Sequence, residues 1–177
     1  LTLARLEIAN KDNKKAKEYI AKALKEKTNY TDAVFLLSQI QVQEGDLRSA
    51  IQSTEGATLF APNDPVVFFQ LGFLKYNNRD FTGAKDAFIQ AVSLNNSYAN
   101  ALYFLGLSFH QVGDREKAIL AFEEVAKTNP DSEEVKLILT NLRAGRAPFT
   151  NAQPPIDDKP EKRTSPPVKE KQSPKDE

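Results

Sequence analysis

Cysteine, tryptophan and methionine are absent from this sequence, and histidine occurs only once. Without cysteine, the chain can form neither disulfide bonds nor thiolate metal sites. This absence fits reducing and oxidising compartments equally well, so it assigns no location to the protein. Because the chain starts at Leu1 and contains no methionine, we expect further residues to precede it in the complete protein.

A net charge of one sign and long apolar runs are also missing. The 24 Lys and Arg residues are balanced by 24 Asp and Glu residues, which argues against charge-driven binding to nucleic acid or to an anionic membrane. No apolar run approaches the roughly 20 residues that a membrane-spanning helix needs, and no signal peptide is recognisable. We therefore expect no nucleic-acid partner and no direct membrane insertion of this segment.

The sequence offers no constellation of catalytic residues. His110 is the only histidine and has no cysteine with which to pair. Adjacent carboxylates such as Glu123 and Glu124 point in different directions on a helix. The seven glycines are scattered along the chain and do not gather in a phosphate-binding loop. The sequence thus predicts no catalytic residues, no metal site and no cofactor, and we interpret the protein as a non-enzyme.

The most informative feature present is an internal repeat with a period of about 34 residues. Large and small apolar residues recur at the same phase in successive units, and the register does not slip. The repeated positions of the third unit are Phe68, Leu71, Gly72, Ala84, Phe88 and Ala91, and those of the fourth are Leu102, Leu105, Gly106, Ala118, Phe122 and Val125. The second unit carries Val34, Leu37, Ser38, Ala50, Thr54 and Ala57. The small residues are expected to let the two helices of each unit approach closely, with Gly72 facing Ala84.

Short polar breaks separate apolar stretches of helical spacing. Each break contains an aspartate that can cap the helix that follows, namely Asp12, Asp46, Asp80 or Asp114. Gly45 and Gly113 suit the left-handed conformation at the end of the preceding helix. Because these connections are so short, consecutive helices should run antiparallel.

Over about residues 1–130, this pattern resembles the tetratricopeptide repeat (TPR) family. The fourth unit is the closest match, with Leu102-x2-Leu105-Gly106-x2-Phe109 followed by Ala118-x3-Phe122 and Pro130. The resemblance implies an all-α fold, a right-handed solenoid of antiparallel helical hairpins. Its units would span approximately residues 1–30, 31–64, 65–98 and 99–130.

The repeats are followed by one further helical pattern and then by a change in composition. Residues 131–145 are predicted to form a capping helix, with Asp131 and Glu134 at the spacing of a capping box. From residue 147 onward, proline and charged residues dominate, a composition that cannot bury enough apolar surface to fold. We predict a TPR domain at residues 1–146 and a disordered tail rich in Pro, Lys and Glu at residues 147–177.

In TPR proteins the first helix of each hairpin lines a concave groove, and the resemblance marks candidate binding positions here. The face in question is apolar and aromatic in its middle. The candidate groove residues are Phe35, Gln39, Val42, Phe69, Phe73, Tyr76, Tyr103, Leu107 and His110. Val66, Asn100, Leu137 and Asn141 share the same face. Aromatic residues at helical spacing are also common in cores, so packing is the alternative role for this stripe.

Our leading interpretation is a non-catalytic scaffold that binds an apolar peptide segment or a helix of another protein in this groove. A carboxylate clamp of Lys, Arg and Asn is not expected, because positions such as Phe35 and Phe69 hold aromatic residues. The alternative is an accessory domain, self-associating into a homo-oligomer or attached to a larger bacterial membrane protein. The ending Asn141-Leu142-Arg143-Ala144-Gly145-Arg146 is similar to C-terminal TPR regions of O-antigen-ligase-like membrane proteins.

In the second unit, Thr54 and Gly56 predict that the helix at about 46–61 is the least stable.

Overall fold

A computed structural model describes residues 1–27 and 30–150 of the chain. Within these ranges the secondary structure consists of nine α-helices and contains no strand. The helices are α1 (Thr2–Ala9), α2 (Asn13–Glu26), α3 (Thr31–Gln43), α4 (Leu47–Phe60), α5 (Pro65–Asn77), α6 (Phe81–Leu94), α7 (Ala99–Gln111), α8 (Arg115–Thr128) and α9 (Glu133–Arg143). Each helix packs against the next along the chain, so the predicted all-α solenoid of hairpins is confirmed.

The helix boundaries repeat as regularly as the sequence does. The first helices of the hairpins, α3, α5 and α7, begin at positions 31, 65 and 99, one repeat period apart, and α9 continues the series at 133. The second helices, α2, α4, α6 and α8, begin at positions 13, 47, 81 and 115. The capping helix α9 therefore stands in the place of the first helix of a fifth unit.

The connections within the hairpins share one local structure. The four predicted aspartates accept hydrogen bonds from backbone N–H groups three residues later, at 3.0 Å for Asp12, 3.0 Å for Asp46, 2.9 Å for Asp80 and 3.2 Å for Asp114. The residue before each aspartate has a positive φ, whether it is Lys11, Gly45, Arg79 or Gly113. The units thus share one turn geometry even where glycine is not used.

The small residues in the first helices admit large rings from the second helices. A β-carbon added at Gly72 would lie 2.7 Å from carbon atoms of the Phe88 ring, and one at Gly106 would lie 2.7 Å from the Phe122 ring. Both phenylalanines are fully buried. Gly72 therefore packs directly against the ring of Phe88.

The start of α9 corrects the predicted capping box. Ser132 is the N-cap residue and accepts a hydrogen bond from the backbone N–H of Val135 at 3.3 Å. The helix begins at Glu133 and ends at Arg143, so it is shorter than the predicted range of 131–145 and Asp131 does not cap it. Asp131 and Ser132 can both cap a helix, but only Ser132 lies at the N-cap position of the repeat, in phase with Asp64 and Tyr98.

Residues 147–150 fold back onto α9. The side-chain amide of Asn141 donates hydrogen bonds to the carbonyl oxygens of Pro148 at 2.9 Å and of Thr150 at 2.7 Å. Pro148 is buried. Contacts with the solenoid thus continue beyond residue 146, the predicted end of the repeat domain. The tail predicted from the composition lies, from residue 151 onward, outside the described residues.

No helix in the described part of the chain combines the length and the apolar character that crossing a bilayer requires.

Candidate functional site

A cleft runs between α3 and α5, the first helices of the second and third hairpins. One part of it has a volume of about 300 Å³ and the other a volume of about 420 Å³. Gln39 and Gln70 line both parts, so the two parts adjoin, and together we call them the α3/α5 cleft. The smaller part is lined by Arg5, Asp32, Phe35, Leu36, Gln39, Val66 and Gln70. The larger part is lined by Gln39, Val42, Gln43, Gly45, Leu47, Gln70, Phe73, Leu74 and Asn77.

The surface of the larger part is mainly apolar. Val42, Phe73 and Leu74 supply side-chain carbon atoms, and Val42 is 43% exposed although it is a large aliphatic residue. Amide side chains, among them Gln39 and Gln70, line the same space. Each amide can both donate and accept hydrogen bonds. The cleft can therefore take up an apolar group and bind polar backbone atoms beside it.

The equivalent space between α5 and α7 is filled by Phe104. The Phe104 ring lies 5.2 Å from the Phe73 ring in an edge-on contact, 6.1 Å from Phe69 and 5.8 Å from Tyr76, measured between ring centroids. The residue one repeat before Phe104 is Gln70. Because Gln70 places no ring between α3 and α5, that gap remains a cleft.

Most of the predicted aromatic stripe takes part in the packing of the third hairpin against the fourth. Phe69, Phe73 and Tyr76 all contact the Phe104 ring, and each is half-buried. Packing, the alternative role considered for this stripe, thus describes much of what these rings do. Phe73 has a second role, because it also lines the α3/α5 cleft.

Tyr103 connects the fourth unit to α9. Its ring lies 5.4 Å from the Phe122 ring, and its hydroxyl donates a hydrogen bond to Glu134 Oε1 at 2.5 Å. Burial, and then the hydrogen bond and negative charge of Glu134, raise the pKa of the Tyr103 hydroxyl. Tyr103 therefore remains protonated at neutral pH and links α7 to α9 through this hydrogen bond.

Leu107 and Asn141 were both expected on an open face, and the structure corrects this. Leu107 is only 6% exposed and packs in the same apolar cluster as Ile138 and Leu142 of α9. Asn141 is only 1% exposed. Its buried side-chain amide donates hydrogen bonds to the backbone carbonyl oxygens of Pro148 and Thr150. The groove face is thus covered at the C-terminal end of the solenoid.

His110 lies in a different place from the α3/α5 cleft. It lines a separate depression of about 290 Å³ with Arg115 and Arg146, at the junction of α7, α8 and the end of α9. Partial burial lowers the pKa of His110 below its ordinary value of 6.5. The imidazole is accordingly neutral at pH 7 and does not contribute charge to a groove ligand.

The structure therefore divides the nine predicted groove residues. The α3/α5 cleft brings together Phe35, Gln39, Val42 and Phe73. The other five lie elsewhere, namely Phe69, Tyr76, Tyr103, Leu107 and His110. Sequence reasoning missed Gln70, Leu74 and Asn77, which also line the cleft. The contrast between Gln70 and Phe104 at one repeat position was the signal that could have found it.

Comparison with family models accounts for nearly all of the repeats. Two models of the tetratricopeptide repeat match consecutive stretches, one over residues 7–68 and the other over residues 69–133. The chain belongs to the tetratricopeptide repeat family. The resemblance seen in the sequence is thereby confirmed. The comparisons give no support to the predicted context of a larger membrane protein.

Several solved structures are similar to this TPR chain. A crystal structure of MamA aligns with a TM-score of 0.72 and 24% identity, over 80% of this chain and 83% of MamA. The first TPR of Spaghetti (RPAP3), bound to the HSP90 peptide SRMEEVD, aligns with a TM-score of 0.60 and 20% identity, over 66% of this chain and 94% of that one. YrrB, described as a TPR protein with an unusual peptide-binding site, aligns with a TM-score of 0.62 and 22% identity, over 73% and 66%. A search of curated proteins gives no match. At these identities the structures establish a shared fold.

Proposed function

We propose that this TPR chain is a protein-binding scaffold that holds an extended segment of another protein in the α3/α5 cleft. The observation that carries the proposal is the gap left at Gln70, where the next repeat places the Phe104 ring. An apolar side chain of the ligand would take the position in this gap that Phe104 takes between α5 and α7. It would contact Val42 and Phe73.

The polar residues of the cleft favour an extended ligand over a helical one. An extended backbone leaves its N–H and C=O groups in need of partners, whereas a helix satisfies its own. Gln39, Gln43 and Asn77 offer such partners around the apolar part of the cleft. Arg5 and Asp32, of opposite charge, line the other part. The site therefore suits an uncharged or mixed-charge segment with one apolar anchor.

Similar solenoids support this class of partner. The Spaghetti TPR was solved with a bound peptide, and YrrB is described as having a peptide-binding site. The likeness to both is a likeness of fold, so it supports a protein segment as the ligand without specifying its sequence.

The decisive experiment closes the cleft in the manner of the neighbouring repeat. Peptides that bind the full chain would be selected from a display library, and their affinities measured by fluorescence anisotropy for wild type and for Gln70→Phe. A ring at position 70 should occupy the apolar gap and abolish binding. Phe73→Ala should weaken binding about tenfold or more, because a buried aromatic contact contributes about 1.4 kcal/mol or more.

Gln90→Phe is the matched control, since Gln90 is exposed on α6 and lines neither part of the cleft. It adds the same ring elsewhere and should leave peptide affinity unchanged. If the selected peptides bind Gln70→Phe as tightly as wild type, the cleft is not the binding site and the proposal is wrong.

Self-association through the outer face of α1 is a second candidate. Leu3 and Leu6 are 55% and 54% exposed. The residues one and two repeats after Leu6 are Ile40 and Leu74, which are buried within the solenoid. The α1 face thus carries residues that other repeats bury against a helix. Sedimentation velocity would test this, since Leu6→Glu should convert a dimer to a monomer; a wild-type chain that is monomeric at high concentration would exclude it.

A further inference from the structure

A basic depression lies at the C-terminal end of the solenoid, and we propose that it binds a phosphate group. The depression has a volume of about 290 Å³ and is lined by His110, Gly113, Arg115, Gly145, Arg146 and Ala147. Two of these side chains are guanidinium groups and none is a carboxylate. The site is separate from the α3/α5 cleft, so the inference goes beyond the proposed function and does not depend on it.

The repeat register shows that polar residues have replaced an apolar pair here. Positions 110 and 115 are equivalent to 76 and 81 in the third unit and to 42 and 47 in the second. The third unit packs Tyr76 against Phe81, with ring centroids 5.2 Å apart. The second unit lines the α3/α5 cleft with Val42 and Leu47. The fourth unit thus has an imidazole and a guanidinium group where the other two have large apolar side chains.

The end of α9 leaves room for the Arg115 side chain. The helices α3, α5 and α7 end at positions 43, 77 and 111, so the register would end α9 at position 145, whereas it ends at Arg143. Gly145 follows with a φ of 75°, and a β-carbon added there would lie 2.8 Å from Arg115 Nη1. Glycine therefore meets two requirements at once, because it forms the early turn and admits the guanidinium group beside it.

Capping the end of α9 is the other role that arginine side chains at this place could have. The backbone already performs it. The N–H of Gly145 donates to the carbonyl oxygen of Leu142 at 3.0 Å, and the N–H of Arg146 donates to that of Asn141 at 2.8 Å. The turn itself thus satisfies these carbonyl groups, and the arginine side chains are not needed for them.

The neighbouring carboxylates are engaged or lie elsewhere. Asp114, which precedes Arg115, forms an ion pair with Lys117 at 2.7 Å. Glu116, which follows it, lines an adjacent depression and not this one. No ion pair between described residues involves Arg115 or Arg146. The two positive charges of the depression are therefore not neutralised within the described part of the chain.

This combination of groups matches a dianion better than a single carboxylate. A phosphate monoester carries a charge of about −1.5 to −2 at pH 7, and each guanidinium group can donate paired hydrogen bonds to its oxygen atoms. Partial burial lowers the pKa of His110, so the neutral imidazole can donate one further N–H without adding charge. The volume of the depression is several times the roughly 30 Å³ of one water molecule, so a phosphate group fits together with ordered water.

Titration of the full chain with inorganic phosphate tests the site. At pH 7 and constant ionic strength, we expect saturable shifts in the NMR signals of the Gly113 and Gly145 amides and of the His110 ring. Arg115→Leu, which introduces the residue that the second unit carries at this position, should weaken the affinity about tenfold or more, because charge-assisted hydrogen bonds are lost. Arg146 is exposed, so Arg146→Gln provides a second variant with the same expected effect and little risk to folding.

Arg48→Leu is the matched control. It removes a positive charge from the first turn of α4 and lines a different depression, so phosphate should bind it as tightly as it binds wild type. Sodium chloride replaces phosphate in a parallel titration, to measure general screening. Equal shifts with chloride, or unchanged affinity in both Arg115→Leu and Arg146→Gln, would overturn the proposal.

Two further probes identify the source of the phosphate group. Tighter binding of N-acetyl-O-phosphoserine amide than of inorganic phosphate would assign the site to a phosphorylated side chain of a partner protein. The reverse order would assign it to the free ion. N-acetylaspartate amide carries a single carboxylate and should bind more weakly than both. If it binds as tightly as the phosphate compounds, the site is one for carboxylates and the assignment to phosphate is wrong.

Discussion

A β-carbon at Gly72 would lie 2.7 Å from the ring of Phe88, closer than such contacts occur in proteins. The same relationship recurs between Gly106 and Phe122, one repeat further along the chain. Glycine within a helix costs about 1 kcal/mol relative to alanine. Glycine therefore lowers the intrinsic stability of the first helix at these positions, and this loss is offset by the burial of a large ring from the second helix.

Gly72→Ala should consequently destabilise the protein although alanine is the better helix former. Overpacking a buried site typically costs about 1–3 kcal/mol, which exceeds the gain of about 1 kcal/mol in helix propensity. We expect a net loss of up to about 2 kcal/mol in the free energy of unfolding, measured by urea denaturation. Gly56→Ala is the matched control: a β-carbon there meets no atom within 4 Å, so it should stabilise the protein. Equal shifts for the two variants would contradict the steric explanation.

Phe88→Ile should partly rescue Gly72→Ala. The first unit carries Ala4 and Ile20 at the equivalent positions, and both are buried. A smaller side chain at position 88 makes room for the added methyl group, so the two substitutions should be less damaging together than the sum of their separate effects. A strictly additive double mutant would show that the two residues do not compete for space.

The helix α4 is predicted to exchange its amide hydrogens faster than α6 and α8. Thr54 stands where these helices carry Phe88 and Phe122, and its hydroxyl donates a hydrogen bond to the Ala50 carbonyl at 2.9 Å. Thr54 is thus satisfied but fills less of the core, and Gly56 weakens the same helix. Hydrogen exchange measured by NMR or mass spectrometry checks this; protection of α4 equal to that of α8 would contradict it.

Stability should fall in mild acid partly because of His110. Burial lowers its pKa in the folded protein below the ordinary value of 6.5, so the unfolded chain binds more protons as the pH falls. Stability from the neutral imidazole is then present above about pH 6.5 and is lost as the pH decreases below it. His110→Gln should show a smaller fall in melting temperature than wild type between pH 7.5 and pH 5. Parallel curves for both proteins would exclude this contribution.

Asn141→Ala should loosen the segment at residues 147–150 and lower stability. The substitution leaves two carbonyl groups without their amide donor, and an unsatisfied buried polar group costs about 1–3 kcal/mol. Asn100 is exposed on α7, so Asn100→Ala is the control and should change stability by less than about 0.5 kcal/mol. Calorimetry on both variants distinguishes the outcomes, and an Asn141→Ala protein as stable as wild type would refute this role.

The repeat architecture was determined by the sequence alone, because the interactions that define it are local or recur at a fixed period. The cap bonds of Asp12 and Asp114 span only three residues, so a helix start is readable from a few side chains. The apolar phase of Phe88 and Phe122 fixed the hairpin packing. The predicted start of α9 lies too early, because Asp131 and Ser132 both have the chemistry of a cap and only the repeat register, which places Ser132 in line with Asp64 and Tyr98, separates them.

Only the tertiary structure decided which part of the predicted stripe is open. An aromatic residue on a groove-facing helix is exposed or buried according to what the neighbouring helix contributes, and that helix belongs to the adjacent repeat. Phe104 closes the gap beside Phe73 on one side, while Gln70 leaves it open on the other. The cover over Asn141 likewise depends on a backbone path that no side-chain periodicity encodes. Shape at the surface of a solenoid is set by pairs of residues from different units, so it emerges only when the units are packed together.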